Sequence, residues 1–259
     1  MIVDTHAHIY LEAFDGDRDL VIQRALKADV GLILMPNIDH QSIQALHSTE
    51  SSYPEICRGM MGLHPCSVTE NVEAQLQHIS EALSKRQYIA IGEIGMDLYW
   101  DQKYIEQQKL ALRRQSEWAL DREVPIVIHS RSALDDILDI LEGMALPNLT
   151  GVFHCFGGSH RQAERIIELG FLIGIGGIVT FKNSNLPEVL PEIGLQHIVL
   201  ETDSPYLAPT PFRGKRNEPA YLQYVVQRLA NIYNLTPIEI AQETTDNALN
   251  LFQIKHNQS

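Results

Sequence analysis

The sequence predicts one (β/α)8 barrel that extends over residues 1–259. Short runs rich in Val, Ile and Leu alternate with amphipathic segments, and eight such alternations follow one another along the chain. Most of the runs lack polar alternation, as expected for strands that are buried on both faces. A doubly wound open sheet is the alternative, but no Gly-x-Gly-x-x-Gly motif follows the first run. The number of strands therefore favours the barrel.

The predicted elements follow one another without a linker or a low-complexity tract that would divide the chain into domains. The strands cover residues 2–5, 30–35, 58–63, 88–94, 125–128, 149–153, 171–175 and 197–201. Ser159 and Thr236 suit N-cap positions, and Gly170 suits the end of a helix. The predicted helices cover residues 17–28, 106–120, 132–141, 161–169 and 247–253, and a further helix starts at Thr236-Pro237.

The charge balance limits the possible partners. The chain has 33 Asp plus Glu against 20 Lys plus Arg, which gives a formal net charge of −13. This balance argues against a protein that grips duplex DNA through a broad basic face, but not against an enzyme that meets phosphate through bound cations. Three cysteines are too few for a disulfide framework, and no signal-like or membrane-spanning run occurs. We therefore expect a cytoplasmic, monomeric protein with no membrane partner.

Histidines and two acids stand at the carboxyl ends of the predicted strands. In a barrel these ends meet on one face, where barrel enzymes have their active sites. The residues that this topology brings to that face are His6, His8, His64, Glu93, His129, His154 and Asp203. The remaining histidines fall in predicted helices, loops or the tail: His40, His47, His78, His160, His197 and His256.

Imidazole and carboxylate groups in this arrangement are typical of a metal site. Alternate residues of a strand point the same way, so His6 and His8 can reach one ion. Taken alone, each residue has a structural explanation, but an unpaired acid is costly to bury at the end of an apolar strand. We expect two divalent ions (Mg, Mn or Zn), one on His6, His8 and Asp203 and the other on His129 and His154, with Glu93 as a bridge.

The motifs that contain these residues resemble those of the TatD family of metal-dependent deoxyribonucleases. The most specific are Glu-Thr-Asp-Ser-Pro-Tyr-Leu at 201–207 and Arg-Gly-Lys-x-Asn-Glu-Pro at 213–219. The others, in family order, are Asp-Thr-His-Ala-His at 4–8, Gly-Leu-His-Pro at 62–65, Gly-Glu-Ile-Gly-Met-Asp at 92–97, Ile-His-Ser-Arg at 128–131 and His-Cys-Phe-Gly-Gly at 154–158. The resemblance implies an amidohydrolase-like TIM barrel whose metal ligands are His6, His8, Glu93, His129, His154 and Asp203.

The expected reaction is hydrolysis of phosphodiester bonds by a metal-activated water. The resemblance implies a deoxyribonuclease of the 3′–5′ exonuclease type that acts on single-stranded DNA ends. An amidohydrolase-like enzyme for a small ester, lactone, amide or phosphoester shares the fold and ligands and stays open as the alternative. A non-catalytic binding module is disfavoured because the ligand set is complete. The expected catalytic residues are Asp203 and Glu93, together with His64, which orients substrate or shuttles a proton.

Charged and aromatic residues near the same strand ends are candidates for substrate contacts. Arg131, Arg213 and Lys215 suit phosphate, although the last two alternatively pair with acids such as Glu218 and fix their loop. Cys66 stands where many relatives carry a second histidine, and we expect it to be a small loop residue rather than a ligand. The remaining candidates, each with an alternative structural role, are Tyr206, Phe156 and Tyr99 for base stacking and Glu201 for a pocket contact.

Overall fold

Eight parallel strands form a barrel in the computed structural model, which describes residues 1–100 and 102–255. Each predicted strand is present, although the bounds of several differ. The strands are β1 (Ile2–Asp4), β2 (Val30–Met35), β3 (Cys57–Gly59), β4 (Ile91–Asp97), β5 (Ile126–Arg131), β6 (Gly151–Phe153), β7 (Leu172–Ile175) and β8 (Ile198–Leu200). The tail histidine His256 lies outside the described residues.

The strands pair in chain order, and backbone hydrogen bonds close the two places where regular pairing stops. Strands β1 to β3 and strands β4 to β8 form two continuous ladders. The Gly92 N–H donates to the Met61 carbonyl at 3.1 Å, which joins the second ladder to the chain after β3. The Thr5 N–H donates to the Leu200 carbonyl at 2.9 Å, which joins β1 to β8. The ring is therefore complete, and the predicted barrel is confirmed.

Helices surround the barrel and follow the strands. In the described part of the chain, none of them is long and apolar enough to cross a membrane. They are α1 (Arg18–Lys27), α2 (Ile43–Ser52), α3 (Val72–Lys85), α4 (Ile105–Asp121), α5 (Leu134–Met144), α6 (His160–Glu168), α7 (Leu186–Val189), α8 (Leu222–Tyr233) and α9 (Pro237–Leu251). The prediction missed α2, α3, α7 and α8. The segment 247–253 is the end of α9 and not a separate helix.

The two predicted N-caps, Ser159 and Thr236, are confirmed. The Ser159 hydroxyl accepts from the Gln162 N–H at 3.4 Å, and the Gln162 side chain accepts from the Ser159 N–H at 2.9 Å. Thr236 and Glu239 form the same reciprocal pair at the start of α9. Each capping box satisfies two backbone N–H groups that the helix itself leaves unpaired.

The lower half of the barrel is an apolar plug. Inward-facing residues of the strands form one buried cluster with Ala248, Leu249 and Phe252 from α9 and the residue after it. The Asn247 side chain donates to the carbonyls of Leu195 at 2.9 Å and Ile198 at 2.8 Å, which fixes α9 across the amino ends of the strands. The polar side chains of the candidate site lie at the other end of the strands, beyond this apolar cluster.

Candidate metal centre

One oxygen of Glu93 faces the two histidines that follow β1. Oε2 lies 3.2 Å from Nε2 of His6 and 3.4 Å from Nε2 of His8, and the two nitrogens are 3.2 Å apart. Oδ1 of Asp203 lies 3.8 Å from Nε2 of His6 and 3.7 Å from Nε2 of His8. Four ligands at about 2.1 Å from a tetrahedral ion are about 3.4 Å apart, so these donor atoms have the spacing of a metal site.

The other oxygen of Glu93 faces a second group of donors. Oε1 lies 2.9 Å from Nδ1 of His129 and 2.9 Å from Nε2 of His154, and these nitrogens are 3.3 Å apart. His64 joins this group, with its Nε2 at 3.2 Å from Oε1. The predicted residues therefore meet around Glu93, which stands between two clusters of possible ligands. Whether they bind ions stays a prediction at this point.

A hydrogen-bond chain sets the tautomer of His8. The Tyr10 hydroxyl donates to the Pro36 carbonyl at 2.8 Å, so its proton is committed to that carbonyl. Its oxygen lies 3.1 Å from Nδ1 of His8 and therefore accepts the proton that Nδ1 carries. Nε2 of His8 is then unprotonated in the neutral ring, and its lone pair points toward Glu93 and Asp203. This is the form that a metal ion requires.

Asp97 orients His129 much as Tyr10 orients His8: one ring nitrogen is hydrogen-bonded and the other faces Glu93. Nε2 of His129 lies 3.0 Å from Oδ2 of Asp97, and Nδ1 faces Glu93. Asp97 is 2% exposed, and although burial by itself raises its pKa, the hydrogen bonds from His129, the Tyr99 N–H and the Cys66 thiol together outweigh burial and keep the pKa of Asp97 below its usual range. A carboxylate behind a histidine holds the ring in place and raises the basicity of the nitrogen that faces the metal.

His64 has the opposite tautomer. Its Nδ1 accepts from the Cys66 N–H at 3.0 Å, so in the neutral ring the proton is on Nε2, the nitrogen that faces Glu93. His64 is therefore a hydrogen-bond donor toward the centre and not a ligand. Partial burial, with the Asp97 carboxylate nearby, raises the pKa of the Cys66 thiol to about 12, and Sγ donates to Oδ2 of Asp97 at 3.4 Å.

Glu201 lies beneath His154 and is not a substrate contact, so that prediction is wrong. Glu201 is 1% exposed, and its Oε1 accepts from the Cys155 N–H and lies 3.7 Å from Nδ1 of His154. A Cβ atom on Gly174 would come within 2.4 Å of Oε2 of Glu201. This glycine within β7 therefore makes room for a carboxylate that positions His154.

A buried acid holds the first and last strands together next to the centre. Oδ2 of Asp4 accepts from the Thr202 hydroxyl at 2.6 Å, and Oδ1 accepts from the Thr202 N–H at 2.9 Å. Burial raises the pKa of Asp4 to about 7. The Asn217 side chain donates to the Thr202 carbonyl at 2.8 Å and fixes the same turn from outside. Asp203 therefore leaves a backbone that is held from both sides.

The electrostatics of the centre favour a bound cation. Burial by itself raises the pKa of Glu93, but the nearby imidazoles, those of His64 and His154 most strongly, outweigh burial and hold this pKa well below its usual range. Burial raises the pKa of Asp203 to about 6. Glu93 is therefore a buried carboxylate that needs positive charge around it. A divalent ion meets that need with the ligand types that are present.

The predicted phosphate-binding side chains are exposed, Arg131 at the end of β5 and Arg213 and Lys215 on the loop after β8. The Arg131 guanidinium is 4.0 Å from the centre of the Tyr99 ring, and that of Arg213 is 3.6 Å from the centre of the Phe181 ring. Lys215 is exposed as well. Glu218 pairs with Arg24 at 2.7 Å, so the alternative in which it fixes Arg213 and Lys215 is wrong.

Of the three predicted stacking residues, Tyr206 and Tyr99 are accessible and Phe156 is not. Tyr206 is 53% exposed, and its ring lies 6.4 Å from that of His8, above the centre. Phe156 is 3% exposed and belongs to the main apolar core. The Phe156 prediction is therefore wrong, since a side chain inside the core offers no face to a base.

Sequence reasoning missed two residues that orient ligands. Asp97 lies four positions after Glu93 on β4, and this even spacing places both on one side of the strand. That signal is readable from the sequence. The role of Tyr10 is not, because it depends on a contact with Pro36 that only the folded chain creates.

Comparison with known proteins gives a consistent result. The family profile described as TatD related DNase matches residues 3–253. The chain is 38% identical over 255 residues to the uncharacterized metal-dependent hydrolase YabD of Bacillus subtilis, covering 98% of this chain and 100% of YabD. It superposes on the crystal structure of the TatD homologue YjjV from Escherichia coli with a TM-score of 0.92 at 32% identity, covering 98% of each chain. A TatD family hydrolase from Entamoeba histolytica, 21% identical, shares the fold with a TM-score of 0.82 over 96% of this chain and 97% of that one.

Proposed function

The chain belongs to the TatD-related DNase family of metal-dependent hydrolases, and on this premise we propose that it is a deoxyribonuclease of the 3′–5′ exonuclease type. Its substrate in this proposal is the end of a single DNA strand. The observation that carries the proposal is the pair of donor groups that share Glu93 at the carboxyl face of the barrel. Because there are two such groups of donor atoms, the proposal includes two divalent ions.

The ligands in this proposal are the six predicted residues, and their roles follow from their contacts. His6, His8 and Asp203 would hold one ion and His129 and His154 the other, with Glu93 available to both groups. When bound, such ions supply Lewis acidity, which neutralises phosphoryl charge and lowers the pKa of water. The identity of the ions is a choice among Mg, Mn and Zn.

His64 and nearby cationic side chains supply positioning, and the ligand Asp203 also serves in proton transfer. His64 presents an N–H toward the centre, which suits a phosphoryl oxygen as acceptor. Arg131 and Arg213 bring the positive charge that a phosphodiester backbone needs, while Lys215 adds a weaker contact. Asp203 is placed to hold a proton as the reaction proceeds, since its carboxyl lies at the edge of the centre and is 15% exposed.

The test is digestion of a labelled oligonucleotide by the purified protein with Mg, Mn or Zn added in turn. We expect shortening of a single strand from its 3′ end, and loss of this activity in Glu93→Gln. Glu243→Gln, an exposed substitution on α9, is the matched control and should keep full activity. No digestion with any of the three metals overturns the proposal, as does undiminished activity in Glu93→Gln.

A small ester, lactone, amide or phosphoester is the second candidate substrate. The observation that favours it is the net charge of −13, because a nuclease usually has more basic surface than this chain. A panel of such compounds, assayed beside the oligonucleotide, decides between the two by the ratio of their kcat/KM values. The single domain, the monomeric state and the cytoplasmic location stay predictions from the sequence.

A further inference from the structure

Two large aromatic side chains stand exposed directly after the strand that carries Glu93. Tyr99 is 58% exposed and Trp100 is 70% exposed. Their rings meet edge to face, with centroids 5.0 Å apart and an angle of 87° between the planes. Exposed apolar surface of this size is unfavourable in water, so two adjacent aromatics at the mouth of an enzyme indicate a binding surface.

The backbone of this aromatic pair is held by the carboxylate that orients His129. Oδ1 of Asp97 accepts from the N–H of Tyr99 at 3.0 Å and from the N–H of Trp100 at 3.3 Å. The other oxygen, Oδ2, lies 3.0 Å from Nε2 of His129. One side chain therefore fixes the aromatic pair in a set position relative to the candidate metal centre.

Arg131 completes the surface from the neighbouring strand. It pairs in register with Asp97 across β4 and β5, and its guanidinium lies 4.0 Å from the Tyr99 ring centre and 4.9 Å from that of Trp100. Cation–π attraction holds the guanidinium over the rings. Because Arg131 follows His129 by two residues, its backbone lies about 6.6 Å farther along the strand.

We propose that Tyr99, Trp100 and Arg131, the aromatic platform, bind an unpaired base of a single nucleic acid strand whose neighbouring phosphate lies at the metal centre. The proposal rests on the proposed nuclease function and specifies the substrate as a strand with free bases rather than a small ester. The rings stack on the base, and Arg131 meets the adjoining phosphate.

Two physical arguments favour a strand as the occupant. Every base has a flat π face, so an aromatic surface binds single strands with little regard to sequence, whereas the bases of a duplex are already stacked on one another. The chain also carries a net charge of −13, so a polyanion cannot be held by general electrostatics and needs specific contacts. The aromatic platform offers two rings for stacking on a base and the Arg131 guanidinium for a phosphate.

The test compares binding of two phosphorothioate strands of equal length, one with thymine bases and one built of abasic nucleotides. Stacking adds a factor of about 5 to 150 in affinity per base, so we expect the base-bearing strand to bind the wild-type protein more tightly by a factor in this range. Trp100→Ala should remove most of this advantage. Trp100→Phe keeps a stacking ring and should keep the advantage, but it should lose quenching of tryptophan fluorescence by the strand.

The control is Ile238→Ala, which removes another exposed apolar side chain, 79% exposed, from the first turn of α9. It should bind both strands as the wild-type protein does. Equal binding of both strands by the wild-type protein overturns the platform, and so does an unchanged advantage in Trp100→Ala. Digestion is measured separately: cleavage without any preference for bases overturns the platform alone, and base-dependent binding without cleavage overturns the nuclease proposal alone.

Discussion

Oδ2 of Asp97 lies 3.0 Å from Nε2 of His129, on the side of the imidazole that faces away from Glu93. Asp97→Ala should therefore weaken metal binding by about 10-fold to 100-fold, as is typical when the partner behind a ligating histidine is removed. Competition against a chromophoric chelator measures this affinity. Asp121→Asn, an exposed change at the end of α4, is the control and should bind metal normally. Unaltered affinity in Asp97→Ala would show that the carboxylate does not support a ligand.

Tyr10→Phe tests the hydrogen-bond chain behind His8. Without the hydroxyl, Nδ1 of His8 loses its acceptor and the tautomer is no longer fixed, so metal affinity should fall by about 10-fold. Tyr233→Phe is the matched control, because the Tyr233 hydroxyl also donates to backbone carbonyls, those of Leu190 and Ile193. It should lower stability but leave metal affinity unchanged. Equal affinity in both variants contradicts the assigned role of Tyr10.

His64→Ala separates a donor from a ligand. The Cys66 N–H occupies Nδ1 of His64, so the side chain offers a proton rather than a lone pair to the centre. We expect the metal content to stay at the wild-type value while kcat on the oligonucleotide falls by about 100-fold. His64, Cys66 and His129 also have donor atoms within 4.8 Å of one another and could hold an ion. Loss of metal in proportion to activity would favour that arrangement and contradict ours.

Leu249→Ala and Phe252→Ala test the apolar plug under the barrel. Both side chains are buried, at 5% and 3% exposure, and truncation should lower the free energy of unfolding by about 2–5 kcal/mol each. Denaturant titration measures this change. Ile238→Ala should shift the free energy of unfolding by less than about 0.5 kcal/mol, because the side chain is exposed. If all three variants are equally stable, α9 does not contribute to the core.

The strands could be predicted because a strand that is buried on both faces has a continuous apolar run. Their ends were misplaced because such a run marks the buried residues and not the hydrogen-bonded ones. Strand β5 continues through Ser130 to Arg131, where polar residues leave the core but still pair with β4. The apolar run 58–63 is longer than β3, since only its first residues continue the regular ladder. An apolar run in the sequence indicates which residues are buried. The hydrogen-bonded strand can be longer than that run, as in β5, or shorter, as in β3.

The candidate ligands were predictable because strand ends converge in any barrel, whereas the side-chain surroundings were not. Phe156 follows His154 by two residues, which in a strand would place both on one side. However, β6 already ends at Phe153 and Cys155 has a φ of +52°, so the alternation of a strand does not hold and Phe156 turns into the core. The depth of Glu201 likewise depends on the space left by Gly174, a contact between distant parts of the chain.

The Asp4–Thr202 contact joins positions 198 residues apart and lies where the barrel closes. His6, His8 and Asp203 stand at this seam, so the metal centre cannot form on a growing chain until the last strand has been made and has reached the first. Ion binding and ring closure are then one thermodynamic event, and an ion bound there adds its binding free energy to the folded state. Chelation should therefore speed unfolding most at this seam, which amide hydrogen exchange in β1 and β8 would record.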